Sequence, residues 1–388
     1  MNDSRPNRAG EELVFFDFGP WHGPGELHTH PLTTLMFGFL ADTRRFVRAT
    51  HVHLARRWGA RVAVTQVHES AWALALPAGL PLGRFAPLRR INRRLQARLL
   101  ATKLGRGDGG RLCWLLDWWQ IEIAARLHPE RLLIDCQDDP EHVFAGNCSR
   151  LAEIPGHRAA TLAHADLVAA AHPRLLDGLS DGSRRFLPAP NGVSSELLAR
   201  ARQLWPEPEA LAGRPRPRLV VVAGEWSFEH RVHHELLAAA LAKLEGWTLV
   251  LIGVPRSPGR GLATLIGHPR VVALPLQPHL ALVPLLKACD VGATPYRRSG
   301  GGDAVKTYEY LACGLPVATL SHHPQPFLDP WVTQASSADE LADACRNLAR
   351  TGLAEPERLS ALLAELTIER RTQQLLDRLD AIRPPSPI

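Results

Sequence analysis

Short apolar runs alternate with amphipathic stretches along most of the chain. Five strand-like runs come first: Leu13–Asp17, Arg61–Gln66, Arg111–Leu115, Arg131–Cys136 and Ala165–Ala170. Between them, Phe46–Trp58, Ile91–Leu100 and Trp118–Leu127 carry apolar residues at helical spacing. Strands alternating with helices predict βαβ units and a parallel sheet. Runs apolar on both faces, such as Leu219–Ala223, suit strands covered by helices on both sides.

The pattern breaks at Trp205–Arg218, WPEPEALAGRPRPR. Its four prolines in 14 residues are incompatible with a helix or strand interior, so a linker is expected over 206–217. A second alternating series follows. Its strands are Leu219–Ala223, Thr248–Ile252, Val271–Leu274, Val291–Thr294 and Pro316–Thr319. Its helices are His234–Lys243, His279–Ala288, Ala304–Cys313 and Ala338–Ala349, and Ile368–Leu379 makes a last one. The expected architecture is α/β: two Rossmann-like, doubly wound domains facing a cleft. The first covers 1–205 and the second 218–366, while 367–388 forms a terminal helix and tail that pack back on the first. Such sheets bind ligands outside the carboxyl ends of their strands.

A length of 388 residues agrees with two domains. A hydrophobic share of 45% with 22% charged residues excludes a disordered chain. No run of about 18 apolar residues occurs, so no membrane-spanning helix is expected. The opening MNDSRPNRAG lacks the apolar core of a secretory signal, which leads us to expect a cytoplasmic protein. Charge sums to 45 − 39 = +6, which suits anionic ligands or an anionic membrane surface. Only Lys103, Lys243, Lys287 and Lys306 are lysines, so much of the arginine surplus reads as coding bias. No aromatic-basic motif for nucleic acid is present. The six cysteines form no C-x-x-C pair and read as free thiols.

The richest segment is Tyr296–Thr319, YRRSGGGDAVKTYEYLACGLPVAT. A glycine loop after a strand leads into a helix near Ala304. First-turn N–H groups of a helix lack intrahelical partners, and its dipole adds about half a positive charge there. Gly301 and Gly302 permit close backbone approach, and the arrangement favours a phosphate. Lys306 and Glu309 share a helix face; the lysine suits a diphosphate and the carboxylate a ribose diol. A solvated i,i+3 ion pair is the plain alternative. Gly314 ends the helix.

This K-x-x-E-Y-L-A-C-G-L-P-V run after a glycine-rich loop resembles the donor motif of GT-B glycosyltransferases with a GT4-type C-terminal domain. The resemblance implies that Lys306 meets the diphosphate and Glu309 the ribose of a nucleotide sugar, with Gly301, Gly302 and Asp303 beside them. Val222–Trp226, VAGEW, resembles the strand-to-loop entry that lines the donor cleft, which brings in Glu225 and Trp226. Tyr296 is expected near the nucleotide. Retaining members carry a second glutamate eight residues before the first; here that position is Gly301, so the stereochemical course stays open.

In the first half, Leu132–Asp139, LLIDCQDD, is an apolar strand ending in acids. It resembles the Y-D-C-x-D-D stretch of a bacterial polysaccharide glycosyltransferase group, and the S-D of xanthan-type glucuronosyltransferases. That resemblance implies a catalytic base at Asp138, with Asp139 as its rival. Capping of the next helix is the alternative for either residue, and a metal-binding acid cluster is a weaker one. The segments Ala165–Val168, ADLV, and Pro190–Val193, PNGV, also fit the GT-B pattern. Gly19 and His22, after the first strand, are placed near donor or acceptor. The basic stretch Arg84–Arg98 reads as a surface helix or as a peripheral contact with anionic lipid on the inner face of the plasma membrane.

The expected function is transfer of a sugar from a nucleotide diphosphate donor, UDP-linked, to a saccharide or lipid-linked acceptor in cell-surface polysaccharide synthesis. Neither a metal nor a cofactor is called for. A GT-B nucleotide-sugar 2-epimerase and a non-catalytic paralogue that binds a nucleotide or a partner are the alternatives.

Overall fold

The computed structural model describes residues 11–17, 31–43, 45–54, 62–77, 85–105, 110–144, 146–223, 232–296, 303–320 and 325–383. They form two compact units. One is built on the first strand, Thr33–Ala189 and the chain from Thr372; the other is Pro190–Arg371.

The first unit holds an eight-stranded sheet. Its strands are β1 (Glu12–Phe16), β2 (Arg48–Leu54), β3 (Ala63–His68), β4 (Ala71–Leu76), β5 (Arg111–Leu115), β6 (Arg131–Cys136), β7 (Leu167–Ala170) and β8 (Phe186–Pro188). Their order is β3-β4-β2-β1-β5-β6-β7-β8. All pair in parallel except β3, which runs antiparallel to β4. Every residue of β1, β5, β6 and β7 is buried, the mark of strands covered on both faces. One face packs Val14, Cys113 and Ile134 against Leu100 and Leu104 of the Ala86–Leu104 helix. On β1 and β5, Phe15 and Trp114 meet at 5.9 Å between ring centroids, and Phe15 lies equally far from Phe37. The amino end of β6 is tied to the last helix, Ile368–Ile382. Arg131, fully buried, donates to Asp380 at 2.6 Å, and Leu375, Leu376 and Leu379 of that helix are also fully buried.

The second unit holds a six-stranded, wholly parallel sheet: β9 (Arg218–Val222), β10 (Thr248–Ile252), β11 (Val271–Leu274), β12 (Val291–Thr294), β13 (Val317–Leu320) and β14 (Val332–Ala335). The order is β11-β10-β9-β12-β13-β14. The chain thus winds outward from β9, then restarts beside it at β12 and winds the other way. The reversal between β9 and β12 is the switch point where such sheets open at their carboxyl ends.

Three expectations change. Phe46–Trp58 is not a helix: Arg48–Leu54 forms β2. Its first five residues are buried, Arg48, Thr50 and His51 included, so the strand shows no alternation to read. The stretch 206–217 lies within the second unit. Its Leu211 is fully buried in that unit's core, and the Leu211 and Arg214 carbonyls accept from the Arg218 guanidinium at 2.9 and 2.7 Å. The units divide after Ala189 instead of at 205, because Val193, Leu197 and Leu198 pack into the second unit's core.

Candidate functional site

At the switch point, β9 and β12 pair only through Val291↔Leu219 and Gly292↔Val220. Beyond that the Tyr310 hydroxyl fills the ladder. It accepts from the Val222 N–H at 2.7 Å and donates to the Ala293 carbonyl at 3.3 Å. The Tyr310 side chain packs closely against Gly292. A Cβ there would stand 2.5 Å from the ring Cγ, so only glycine fits. Gly292→Ala is expected to destabilise the protein by about 1–3 kcal/mol through overpacking, checked by chemical denaturation of the second unit's transition.

Tyr310 belongs to the helix Val305–Ala312, which starts at the carboxyl side of this sheet. Its N-cap residue Ala304 offers no side-chain cap and its first turn holds no acid, which leaves its leading amides suited to an anion. Gly314, at φ +85°, ends the helix as expected. The Leu315 and Gly314 amides donate back to the Tyr310 and Leu311 carbonyls, the paired bonds of a Schellman cap.

Lys306 and Glu309 come together on this helix. Lys306 Nζ donates to Glu309 Oε2 at 2.8 Å, and His279 Nε2 lies 3.0 Å from Glu309 Oε1. A carboxylate only accepts, so the imidazole proton sits on Nε2. Glu309 is 1% exposed, while the Lys306 side chain keeps 16%. Burial alone would raise the Glu309 carboxyl, but the Lys306 charge and the His279 bond outweigh it and hold it at about 2. The result is an ionised, dry carboxylate gripped from two sides. The segment Leu274–His279 resembles the base-binding side of this fold, but no spacing in the sequence links its histidine to Glu309.

Asp303 is 6% exposed. Its Oδ2 accepts from the Asn191 N–H and the Tyr308 hydroxyl, each at 2.7 Å, and the Gln325 side chain also bonds it. Burial pushes its carboxyl up to about 6 against these donors. The Asn191 amide donates in return to the Asp303 carbonyl at 2.7 Å. These bonds tie the Asp303 carboxylate to the 190–193 segment. Tyr296 follows β12, forms a bridge with Val232 and packs on the core around β9 and β12. On β12 and β13, Thr294 and Thr319 are register partners, and their buried hydroxyls have no hydrogen-bond partner. Gly19, His22, Glu225, Trp226, Gly301 and Gly302 lie outside the described residues.

In the first unit, the carboxyl end of β6 carries Gln137, Asp138 and Asp139. Asp138 is exposed. Asp139 Oδ1 accepts from the Glu141 N–H at 2.9 Å, at the start of the helix Pro140–Val143, and lies 3.9 Å from Arg158. The Glu141 bond has the geometry of a helix cap. Gln137 went unnoticed in the sequence; it is 8% exposed, and neither of its amide atoms has a hydrogen-bond partner. An unpaired buried amide costs about 1–3 kcal/mol, and among the described residues nothing offsets it here. Asp135 lies fully buried inside β6. At the end of β1, Asp17 Oδ2 meets His51 Nε2 at 2.8 Å, both buried. Among the described residues, no three His, Cys, Asp or Glu side chains are grouped to hold a metal ion.

Residues 217–351 match the family model described as glycosyl transferases group 1. No curated protein sequence matches the chain. Among solved structures, sucrose-phosphate synthase from Thermosynechococcus elongatus is similar over 96% of each chain, at 16% identity and a TM-score of 0.65. The Anabaena protein HepE, solved with UDP and glucose, covers 95% of this chain and 99% of its own, at 15% identity and a TM-score of 0.62. WaaG, a glycosyltransferase involved in lipopolysaccharide biosynthesis, covers 96% of this chain and 99% of its own, at 15% identity and a TM-score of 0.60. The chain has the GT-B fold, and its second unit carries a group 1 glycosyltransferase domain, which makes the protein a glycosyltransferase.

Proposed function

We propose that the chain moves a sugar from a UDP-linked donor to a hydroxyl of a saccharide or lipid-linked acceptor of the cell surface. The observation that carries this reading is the Lys306–Glu309–His279 cluster at the uncapped start of the Val305–Ala312 helix. Lys306 and the helix amides stabilise the negative charge that grows on the departing diphosphate. Glu309, held ionised by Lys306 and His279, accepts the ribose hydroxyls. Asp138 takes the acceptor proton as general base, and Gln137 hydrogen-bonds a sugar hydroxyl. UDP as the nucleotide is supported by the UDP complex of the Anabaena relative, and a cell-surface product by the lipopolysaccharide role of WaaG.

A thermal-shift series with UDP, GDP, ADP and TDP sugars tests the donor. A ligand at a hundredfold over its Kd stabilises the native state by about 2.7 kcal/mol. UDP sugars are expected to raise the melting temperature and the other three to leave it in place. A melting curve that none of the four moves would overturn the donor assignment. Release of UDP that depends on added acceptor then separates transfer from isomerisation, which needs no acceptor.

A further inference from the structure

We infer that His279 makes the donor site selective for a ribonucleoside, by fixing the plane in which the Glu309 carboxylate presents its lone pairs. The inference rests on the donor reading above, and its experiment separates the failure of one from the failure of the other. His279 opens the turn His279–Ala281, which runs straight into the helix Leu282–Lys287. Leu282, Val283, Leu285 and Leu286 of that helix share one buried core with Tyr308, Tyr310 and Leu311, the neighbours of Glu309. Histidine and glutamate are therefore carried by two elements locked into the same packing, 30 residues apart in the chain.

The last torsion of a glutamate is broad and roughly two-fold, so its backbone alone does not set the carboxylate plane. Lys306 does not set it either. Its ammonium ends a flexible four-carbon stem with rotatable donors, and its side chain is the more open of the two partners, at 16% against 6% for His279. The imidazole is a rigid, buried ring that meets Oε1 at 3.0 Å, while Lys306 holds Oε2 at 2.8 Å. One donor on each oxygen, one of them rigid, defines the plane. A carboxylate has about four lone-pair sites. Among the described residues His279 and Lys306 take one each, which leaves about two. A ribose diol has a hydroxyl for each of them, and a deoxyribose cannot fill both. A site built to bond a hydroxyl rejects the analogue that lacks it, because a buried polar group is left unpaired. The donor class this selects is a ribonucleoside diphosphate sugar, and thymidine diphosphate sugars built on deoxyribose are excluded.

Calorimetric titration of the full chain with UDP, 2′-deoxy-UDP and UMP reads the ribose and the diphosphate separately. The parent is expected to bind 2′-deoxy-UDP about tenfold or more weakly than UDP, the effect of a lost hydrogen bond to a charged acceptor. In His279→Asn, whose amide falls short of Oε1, that penalty is expected to shrink. The UDP-to-UMP ratio should stay unchanged there, because Lys306 and the helix amides still meet the diphosphate. His279→Gln places an amide N–H at the reach of Nε2 and is expected to restore the penalty, which a purely structural role for the ring would not allow. Urea denaturation reports that each variant is folded, and His279→Ala replaces His279→Asn should the latter not fold. A parent that binds none of the three ligands overturns the donor reading itself. A parent that binds UDP and 2′-deoxy-UDP alike leaves a UDP site standing and overturns the inference. So does a full 2′-deoxy penalty in His279→Asn, or a His279→Gln variant that fails to restore it.

Discussion

Asp138→Asn is expected to keep the parent's affinity for UDP while turnover falls by about 10²–10⁴-fold, the range over which a positioned general base acts. The expectation rests on the exposure of Asp138 and on the helix-start contact of its neighbour Asp139. Asp139 is held by the Glu141 amide at 2.9 Å and has Arg158 at 3.9 Å. An asparagine accepts the same amide bond, so Asp139→Asn should change turnover little. Asp138 stands exposed at the strand's carboxyl end beside the unpaired Gln137 amide. Acceptor-dependent UDP release measures turnover, and calorimetric titration measures UDP affinity. The reverse ranking of the two variants would move the base to Asp139, and full activity in both would remove it from this strand.

Five of the six strands of the second unit were legible in the sequence to within a residue, while β14 and the helices Arg260–Ile266 and Pro356–Glu365 were not read, and the reason for the success is local. Its strands are buried runs of Val, Leu and Ile between helices with clear starts, and Gly314 stops the Val305–Ala312 helix by a mechanism that needs no tertiary partner. The first unit was harder. β2 carries Arg48, Thr50 and His51 in buried positions, whose partners come from elsewhere in the chain: Asp17 for His51, and the Leu104 carbonyl, at 3.4 Å, for Arg48. A polar residue that long-range contacts will bury looks, in sequence, like one facing water. Its spacing then mimics a helix. The linker failed for a related reason. Prolines exclude helix and strand, but they do not forbid packing, and Leu211 and Arg218 fasten that stretch to the second unit.

The same division runs through the candidate site. Lys306 and Glu309 were readable because both lie on one helix turn. Asp303 looked like their neighbour in the glycine loop, yet its partner Asn191 lies 112 residues earlier in the chain. His279 and Gln137 owe their roles to what surrounds them. The histidine is defined by a carboxylate 30 residues away, and the glutamine by having no partner among the described residues. Neither condition leaves a mark on local spacing.

Lys306→Ala separates the two roles of the lysine. With Lys306 gone, the Glu309 carboxylate keeps His279 as its partner but loses its neutralising charge at 1% exposure. Breaking a buried ion pair from one side costs about 3–5 kcal/mol; the 16% exposure of the lysine places the expected loss at or below the lower end. The pH dependence follows from the depressed Glu309 carboxyl. A carboxyl held at about 2 when folded and near 4.5 when unfolded contributes stability above pH 4.5 and loses it as pH falls toward 2. In Lys306→Ala the folded value rises, so that acid-side decline should shrink. Lys306→Ala/Glu309→Gln removes the stranded charge and should recover much of the stability at neutral pH. It should not recover function: without the cation, UDP-sugar binding and turnover stay reduced, turnover by about 10²–10³-fold for a lost transition-state charge contact. Urea denaturation across pH and acceptor-dependent UDP release, run on both variants, read the two roles apart. A double variant that regains stability and turns over like the parent would show that Lys306 serves only to neutralise Glu309 and that the diphosphate is held by other groups.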